Sequence, residues 1–338
     1  MSRLRLLALV PFLAAALASP SPAAAARSWA QPEIRLVVAH GLMARNVATF
    51  RPQAVLTQVA LRDLVAGLTE QPPETVANPS APVTMAQLDA RLVRALDLSA
   101  EATSFYNEAL LAGLQPPSRF GTEVVARLLG LRTNHPAAQD NLERLPSDPA
   151  SRAEAAYSAA QILRFSDWEV QNVRDAALNF QLPLFTPWQR RVLTTAVSFI
   201  GYPYVWGGTS ERPQSPFGVQ ASGGFDCSGF AWRVYKLQSY SGAPKLATVL
   251  RGRTAAAMAG EVPRRRRIKA ARLAPADLLF FGNGGPRAKA AQVDHVAIYL
   301  GEGWLIQSSR YGVALSPVAG WYENRLAWGR RPLSEAGL

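Results

Sequence analysis

The stretch Gly223-Gly-Phe-Asp-Cys-Ser-Gly-Phe-Ala-Trp-Arg-Val-Tyr235 decides the fold of this 338-residue chain. After Cys227, the apolar residues Phe230 and Val234 lie four apart, which predicts a helix whose first turn holds the cysteine. The free N–H groups and the dipole at a helix start stabilise a thiolate, so we expect the pKa of Cys227 to be lowered. Cys227 is therefore the candidate nucleophile, with a buried inert thiol as the alternative.

A nucleophilic thiol needs a proton carrier, and the chain has three histidines. His40 follows a strand-like segment, Ile34 to Ala39, and His135 lies in an Asn-His-Pro loop; both belong to the N-terminal half of the chain. Only His295 shares a region with Cys227, so His295 is the candidate base.

The strand that His295 opens is predicted to form a hairpin with the next apolar run. The run Val296 to Leu300 is followed by Gly301-Glu-Gly303 and then by a second apolar run. If all three residues of the turn form the loop, Ala297 faces Gln307, and Gln307 shares a face with His295. A two-residue loop would put the two side chains on opposite faces. On the first register, Gln307 accepts a hydrogen bond from one imidazole nitrogen and leaves the other for the thiol.

Residues 27 to about 185 are predicted to be mainly helical. Thr84-Met-Ala-Gln87 and Ser151-Arg-Ala-Glu154 both fit the capping box, in which two side chains satisfy each other's free backbone donors. The apolar residues after the second box recur at helical spacing, which predicts one buried face. Thr186-Pro187 opens a further helix with proline at its first position, and we expect it to begin a second domain over residues 186–338.

The first 26 residues are predicted to be a removable export signal. Arg3 and Arg5 precede the apolar stretch Leu6 to Leu17, and small residues lead to a cleavage site near the end of the segment. The apolar stretch is too short to span a bilayer, so we expect a secreted, extracytoplasmic protein with no integral membrane span. An exported protein with one cysteine forms no internal disulfide, which leaves Cys227 for another role.

The net charge is +12, and it is +10 once the two arginines of the export signal are removed. For an exported protein this balance favours cell-wall polymers or lipid headgroups as partners. The run Arg264 to Arg267 with Lys269 is read as a solvated basic loop, so no nucleic-acid partner is expected. With one cysteine and no clustered histidines, we expect no metal site and no cofactor.

Several residues near the candidate site are assigned structural roles. Asp277, in Pro-Ala-Asp before an apolar strand, is predicted to be a turn residue. Asp294 neighbours His295 along a strand and should face the other side, so it is not expected to orient the base. Trp206, Trp232 and Trp304 are predicted to be core or groove walls.

Five segments of the C-terminal region carry a resemblance to a known family. In chain order they are Tyr202-Pro-Tyr-Val-Trp-Gly-Gly208, Phe225-Asp-Cys-Ser-Gly-Phe230, Leu273-Ala-Pro-Ala-Asp-Leu-Leu-Phe-Phe281, Asp294-His-Val-Ala-Ile-Tyr-Leu-Gly301 and Trp321-Tyr322. They resemble the motifs of the NlpC-type cell-wall peptidases, a papain-like family, over about residues 188 to 332.

The resemblance implies an α+β fold. It consists of a papain-like domain, with the catalytic cysteine at a helix N-terminus packed on a small antiparallel sheet, preceded by an all-α repeat-like domain. The resemblance also implies hydrolysis of the γ-D-glutamyl bond to a diamino acid in peptidoglycan stem peptides. By position, Cys227 attacks the carbonyl and His295 serves as base and then as acid.

The resemblance further assigns a substrate subsite and one departure. Tyr204, Asp226 and Ser228 match positions that line the subsite for the free amine of the stem's L-alanine, and a carboxylate there could pair with an ammonium. Gln307 stands where the family commonly has histidine as the third polar residue. An amide orients an imidazole but carries no charge, so we expect activity to survive with weaker stabilisation of the imidazolium; loss of catalysis is the alternative.

Roughly residues 30 to 165 resemble degenerate S-layer homology repeats, short helical units that hold surface proteins on cell-wall polysaccharide. Of the family's opening pattern, Thr/Ser-Arg-Ala-Glu, only Ser151 to Glu154 is close. The Thr84 copy has Met85 in place of arginine, and the Thr57 copy lacks both charged residues. The resemblance implies binding of anionic wall polymers; a structural domain, or one that covers the active-site groove, is equally open because stacked repeats need each other for stability.

Three functions therefore compete. The first is a stem-peptide endopeptidase with a helical targeting domain. The second is an amidase or acyltransferase that uses the same dyad on another acyl substrate. The third is a non-catalytic wall-binding scaffold, in which Cys227 would react with iodoacetamide no faster than a free thiol.

Overall fold

The computed structural model describes residues 28–135, 143–218 and 220–338. The predicted export signal, residues 1–26, lies outside the described residues. None of the helices in the described part is long and apolar enough to cross a membrane.

The N-terminal part of the described chain, residues 28–185, is helical as predicted and is called the helical region below. Its helices are α1 (Gln31–Ala39), α2 (Gln58–Thr69), α3 (Met85–Ala95), α4 (Ser99–Leu111), α5 (Phe120–Leu128), α6 (Arg152–Leu163) and α7 (Asp167–Asn179). A 3₁₀ turn, Val47–Thr49, follows α1.

The predicted strand before His40 is wrong, because Ile34 to Ala39 belongs to helix α1. Pro32 stands in the first turn of α1, where a missing N–H costs nothing. Ile34 and Val37 lie three apart, and both are buried on the face that packs against α6. The valines favour a strand locally, and tertiary packing overrides that preference.

One predicted capping box is present and the other is only half formed. Thr84 and Gln87 satisfy each other's backbone donors at the start of α3. Ser151 accepts a hydrogen bond from the backbone N–H of Glu154, but the Glu154 carboxylate lies 3.2 Å from Nε2 of His135 instead of returning to the cap. The expected single apolar face of α6 is also wrong, since nearly every residue from Ala153 to Ala160 is buried.

The residues just before three of these helices are joined to one another. The N–H of Leu56 donates to the carbonyl of Ala150 (2.8 Å), that of Ala150 to Val83 (2.8 Å), and that of Val83 back to Leu56 (2.9 Å). All three side chains are fully buried. The repeated start signals of the sequence therefore mark three segments that close into a ring, with each segment bonded to both of the others.

Residues 186–338, called the sheet region below, begin with helix α8 (Pro187–Ser198), whose Thr186–Gln189 capping box is present. The later helices are α9 (Cys227–Trp232), continued by a π-helical turn at Arg233–Leu237, α10 (Leu246–Val249), α11 (Ala255–Gly260), α12 (Trp321–Arg325) and α13 (Pro332–Glu335). The strands are β1 (Thr209–Ser210), β2 (Gly224–Phe225), β3 (Leu278–Gly282), β4 (Val293–Gly301), β5 (Trp304–Ser309), β6 (Gly312–Pro317) and β7 (Leu326–Arg330).

Strands β3 to β7 form an antiparallel sheet in the order β6-β5-β4-β3-β7, and β1 pairs with β2 beside it. Helix α9, which begins at Cys227, packs against β4 and β5. The predicted α+β fold is therefore confirmed, with the cysteine at a helix start on a small antiparallel sheet.

The β4–β5 hairpin has the predicted pairing register but a shorter loop. Ile298 pairs with Ile306, which is the register that sets Ala297 opposite Gln307. At the turn, however, Gly301 pairs with Trp304, so the loop has two residues and a bulge lies between Tyr299 and Gly301. A plain two-residue loop would place His295 and Gln307 on opposite faces of the hairpin. The bulge adds one residue to β4 and shifts the register by one, so both side chains lie on the same face.

The helical region is anchored on the sheet region by Arg127 of α5. Its guanidinium donates to the carbonyl of Gly201 (2.7 Å) and to that of Tyr311, next to β6. Buried Glu123 (3.3 Å) and Glu143 (3.0 Å) balance its charge. A single cluster of buried apolar residues runs through both regions, so they share a core. The division of the chain at residue 186 remains a prediction.

Candidate active site

A cavity of about 410 Å³ opens beside the N-terminus of α9. Its lining residues are Tyr204, Trp206, Gly207, Phe217, Asp226, Cys227, Ser228, Arg253, Thr254, Ala255, Ala256, Val293, Asp294 and His295. Cys227 and His295, the predicted nucleophile and base, thus share one cavity. All of these residues come from the sheet region, so in the described part of the chain the helical region does not line the groove.

Helix α9 is started by Asp226 and held close to a neighbouring loop. The Asp226 carboxylate accepts a hydrogen bond from the N–H of Gly229 (2.5 Å), as an N-cap residue does. A Cβ on Gly229 would overlap the backbone carbonyl of Gly208. Only glycine allows this approach, which sets Cys227, half-buried, at the edge of the cavity.

The expected lowering of the cysteine pKa is wrong. Burial and, after it, the nearby charge of Asp226 raise the pKa of the Cys227 thiol to about 11. Hydrogen bonds from the backbones of Val296 and Ser228 act in the opposite direction and are outweighed. The backbone donors at the helix start therefore do not outweigh burial and the charge of Asp226.

His295 stands on β4 and is also neutral in this structure. Burial lowers its pKa to about 4, against the opposing effects of its hydrogen bond with Gln307 and of Asp294. Aromatic rings surround the imidazole, with Phe281 5.8 Å and Trp321 6.2 Å away between ring centroids. The resting pair is therefore a thiol and an imidazole rather than a thiolate and an imidazolium.

Gln307 on β5 is the hydrogen-bond partner of the imidazole, as the hairpin register predicted. Its Oε1 accepts from Nε2 of His295, and its side chain is almost wholly buried. Its Nε2 donates to the hydroxyl of Ser316 (3.0 Å) and to that of Tyr322. The two hydroxyls fix the amide with its oxygen toward the ring, which leaves Nδ1 of His295 able to accept the thiol proton. Tyr322 was recognised from the sequence only as part of a motif, and neither its contact with Gln307 nor a role for Ser316 was predicted.

Arg253 also lines the cavity, and its role there was not predicted from the sequence. It lies between α10 and α11, and it forms an ion pair with Asp226, with its two terminal nitrogens each 2.9 Å from a carboxylate oxygen. It also donates to the hydroxyl of Ser228 (2.7 Å) and to the carbonyl of Gly208 (3.3 Å). No local motif marks this arginine, because the contact spans 27 positions along the chain.

Tyr204, Asp226 and Ser228 lie around the cavity beside Cys227, where the sequence analysis expected a subsite for an amine. The carboxylate of Asp226, however, is already occupied. Besides Arg253 and Gly229, it accepts from the hydroxyl of Ser228 (3.0 Å) and the N–H of Gly207 (3.0 Å). The charge that was expected to meet an ammonium is bound within the protein.

Asp277 has the predicted structural role, whereas the expectation that Asp294 faces away from His295 is wrong, because both residues line the Cys227 cavity. Asp277 is fully buried, accepts from the N–H of Ala274 (2.8 Å) and forms an ion pair with Arg331 (2.8 Å), as a turn residue. Asp294 forms an ion pair with Arg325 and is exposed. The imidazole is bonded to Gln307 and not to Asp294.

The other two histidines lie away from this cavity. His135 is buried in the helical region, stacked on Trp29 with ring centroids 4.0 Å apart, and His40 is exposed at the end of α1. Across residues 28–135, 143–218 and 220–338, no group of three or more histidine, cysteine or acidic side chains is placed to hold a metal ion.

The sheet region is similar to proteins of a known family. The family model described as "NlpC/P60 family" matches residues 201–331. The chain is 32% identical to the gamma-D-glutamyl-L-lysine dipeptidyl-peptidase of Bacillus subtilis over 43% of this chain and 41% of that protein. It is 34% identical to the murein DD-endopeptidase MepH of Escherichia coli over 33% of each. A solved NlpC/P60 family structure from Bacillus cereus is 29% identical, with a TM-score of 0.33, over 45% of this chain and 42% of that one.

The chain therefore spans less than half the length of these relatives. The matched segment contains the Cys227 helix, the β4–β5 hairpin and Arg253. All of the segments quoted for the resemblance fall inside it. Residues 201–331 of this chain are an NlpC/P60 family domain.

Proposed function

We propose that the protein is a peptidoglycan endopeptidase that hydrolyses the γ-D-glutamyl bond to a diamino acid in cell-wall stem peptides. The proposal rests on one observation above all: the thiol of Cys227 and the imidazole of His295, oriented by Gln307, line one cavity in an NlpC/P60 domain. The relatives named for peptidoglycan cleavage support the substrate class.

In the first half of the reaction, Sγ of Cys227 attacks the γ-carbonyl carbon of D-glutamate while Nδ1 of His295 takes the thiol proton. Because the resting pair is neutral, the proton moves as the bond forms, and His295 acts as a general base. The imidazolium then gives the proton to the amine of the diamino acid, the C–N bond breaks, and a thioester remains on Cys227.

In the second half, water replaces the departed amine. Neutral His295 takes a proton from the water as its oxygen attacks the thioester carbon. The C–S bond then breaks, His295 returns the proton to Sγ of Cys227, and the product leaves with a free γ-carboxyl group on its D-glutamate. Gln307 keeps the ring in one orientation through both halves, and its uncharged amide gives the imidazolium less stabilisation than a carboxylate would.

The test is digestion of purified peptidoglycan by the wild-type protein and by the Cys227→Ala variant, with fragments identified by mass. The proposal expects fragments that end in the γ-carboxyl of D-glutamate from the wild type alone. Release of intact stems from the glycan would favour the amidase alternative, and identical fragment patterns from both proteins would favour the non-catalytic scaffold.

For the helical region we propose a role in holding anionic wall polymer. A groove of about 470 Å³ lies between α6, α7 and the β5–β6 turn. It presents Trp168, 61% exposed, together with Arg310 and with Arg164, which also forms an ion pair with Glu33 (3.5 Å). Glu169 also lines it, but its carboxylate caps Ser166 at the start of α7. An exposed aromatic ring beside two arginines suits a sugar ring that carries carboxylates.

Binding of isolated anionic wall polymer tests this role. Trp168→Ala and Arg310→Gln are expected to weaken binding at least tenfold while leaving cleavage of short stem peptides unchanged. Unaltered polymer binding by both variants would leave the helical region with a structural role only.

We also propose that the protein acts outside the plasma membrane after loss of residues 1–26. The basic and apolar pattern of that segment supports this location. N-terminal sequencing of the protein recovered from its native host tests the proposal: a start near Arg27 is expected, and recovery of the full chain inside the cell would contradict it.

A further inference from the structure

Two short segments of the sheet region carry a large share of the positive charge of the chain. Residues 263–272 hold five arginines and one lysine, and residues 285–289 hold one arginine and one lysine. Neither segment contains an acidic residue. Together they contribute eight positive charges to a chain whose net charge is +12. The fold decides whether these charges act together.

Both segments lie at the same edge of the five-stranded sheet, where β7 is the last strand. In the first segment, the N–H of Ile268 donates to the carbonyl of Gly329 on β7 (3.0 Å), and the N–H of Gly329 donates back (2.7 Å). The second segment also packs against β7. It continues to Ala290, which would lie 3.8 Å from a Cβ on Gly260, at the end of α11. Residues 263–272 and 285–289 are called the basic edge below.

The cations of the basic edge are held in place but not neutralised. Arg264, Arg265 and Arg266 form an exposed 3₁₀ turn, closed by a hydrogen bond from the N–H of Arg266 to the carbonyl of Pro263 (2.8 Å). Arg267 lies over the ring of Trp328, 3.5 Å from its centroid. Among the residues that the structure describes, no carboxylate forms an ion pair with a cation of either segment. The basic edge is therefore a fixed surface of unpaired positive charge.

Protection of the sheet edge does not account for this surface. Charged side chains on an edge strand can prevent it from pairing with another chain. Here the free edge of β7 is already bonded to Ile268 at Gly329. Repulsion within the turn is also felt, since burial and, after it, the charge of Arg264 lower the pKa of Arg267. A negatively charged partner would relieve that repulsion, whereas a solvated loop leaves it in place.

The side chains of the basic edge indicate the chemistry of the partner. None of the large apolar side chains that are exposed in the described part of the chain lies in the two segments. The groove of the helical region offers the exposed ring of Trp168 to a sugar, and the basic edge has no such ring. A layer of phosphate headgroups needs only positive charge beside it, and clusters of about four to eight basic residues are typical of binding to anionic lipids.

We propose that the basic edge binds the headgroups of an anionic phospholipid membrane, reversibly and without insertion into the acyl chains. This inference does not depend on the proposed cleavage. The opposite edge of the sheet, β6, carries helix α5 of the helical region, and the cavity with His295 lies at the central strand β4. A protein bound in this way directs its helical region away from the membrane and places the cavity between the two.

Cosedimentation with vesicles tests the proposal without any variant. At about 0.1 M salt the wild-type protein is expected to bind vesicles that contain phosphatidylglycerol and to leave vesicles of pure phosphatidylcholine unbound. Raising the salt to about 0.5 M should release it, because salt screens the attraction between exposed charges. Binding through apolar contacts would show neither dependence.

A triple variant assigns the binding to the basic edge. Arg265→Gln, Arg266→Gln and Lys269→Gln together remove three exposed charges whose side chains have no hydrogen-bond or ion-pair partner among the described residues. The affinity for the anionic vesicles should fall at least roughly tenfold. Thermal unfolding should be unchanged, because none of the three side chains is buried.

A matched control removes the same charge from the helical region. It replaces three exposed arginines by glutamine: Arg35, Arg45 and Arg94. This variant has the same net charge as the first and should bind the vesicles like the wild type. All three proteins carry the same residues 1–26, so any binding through that segment is equal in them.

Four results would overturn the proposal. They are no binding to anionic vesicles at the lower salt, equal binding to neutral vesicles, binding that persists at high salt, and equal losses of affinity in the two triple variants. The last would mean that net charge alone is responsible. Binding of a soluble polyphosphate chain without binding of vesicles would indicate a linear polymer as the partner and would overturn it as well.

Discussion

The imidazole of His295 donates its Nε2 proton to the side-chain oxygen of Gln307, and that amide is itself fixed by the hydroxyls of Ser316 and Tyr322. The orientation of the base thus depends on three residues from β5, β6 and α12. An uncharged amide can orient the imidazole because both N–H groups of Gln307 are bonded to hydroxyls, which holds its oxygen on the side of His295.

Replacement of Gln307 by alanine tests this relationship. Loss of the amide frees the ring to turn and to change tautomer, so kcat on a stem peptide should fall roughly 100-fold. KM should change little, because Gln307 does not line the cavity. Steady-state kinetics on a defined stem peptide measure both.

Ser316→Ala is the matched control for that variant. It removes one of the two hydroxyls that fix the amide and leaves Tyr322 in place, so kcat should fall less than about tenfold. Equal losses in the two variants, or an unchanged kcat in Gln307→Ala, would contradict an orienting role for Gln307.

The pH dependence of kcat/KM follows from the neutral resting pair. His295 is a base only when unprotonated, so activity should be lost as the pH falls through its lowered pKa of about 4. Above that, kcat/KM should stay flat until the thiol ionises, since the pKa of Cys227 is raised to about 11. A loss of activity between about pH 6 and 7, where an ordinary histidine titrates, would contradict this account.

The raised thiol pKa also changes what alkylation can tell. A neutral Cys227 should react with iodoacetamide no faster than a free thiol at neutral pH, even in an active peptidase. Slow alkylation therefore does not identify a scaffold, and only cleavage separates the two functions.

The sequence predicts best what depends on neighbours along the chain. The helix at Cys227 follows from the spacing of Phe230 and Val234, and the pairing of Gln307 with His295 follows from alternation along a hairpin. The predicted three-residue loop between β4 and β5 was wrong, because the pattern of apolar residues does not reveal the bulge next to Gly301.

What the sequence could not predict depends on contacts between distant segments. Arg253 meets Asp226 only because the turn between α10 and α11 returns to the cysteine helix. The thiol pKa was mispredicted because the local dipole argument leaves out burial, which is a property of the packed fold. The strand predicted before His40 is wrong for a similar reason, since the partner of that segment, helix α6, lies more than a hundred residues later in the chain.

Glu123, at the junction of the two regions, should make stability depend on pH. Burial and the nearby charge of Asp89 raise its pKa from 4.5 to about 7, against the effect of Arg127. A raised folded-state pKa means that the folded protein binds the proton of Glu123 more tightly, so the contribution of Glu123 to stability is fully present below the unfolded pKa and is lost as the pH rises through about 7.

The variant Glu123→Gln removes that titration. Between pH 5 and pH 8 the wild type should lose up to about 3 kcal/mol more of its free energy of unfolding than the variant does. Denaturant unfolding at the two pH values measures the difference, and the comparison isolates Glu123 from the other titrating groups. Parallel pH profiles would show that Glu123 titrates normally.

Gly229 tests the close approach of the cysteine helix to its neighbouring loop. Gly229→Ala places a Cβ against the carbonyl of Gly208, so the protein should lose at least about 2 kcal/mol of stability and most of its activity. Gly260→Ala, at the end of α11, is the control, since its nearest neighbour would lie 3.8 Å away. Similar behaviour of the two variants would mean that the approach at Gly208 is not needed.

The most direct test of the central claim is to incubate the wild-type protein and Cys227→Ala with a defined stem peptide and to identify the products by mass. The account predicts one cut, between the γ-carboxyl of D-glutamate and the diamino acid, in the wild type alone. A cut at another bond, or the same cut by the variant that lacks the thiol, would contradict it.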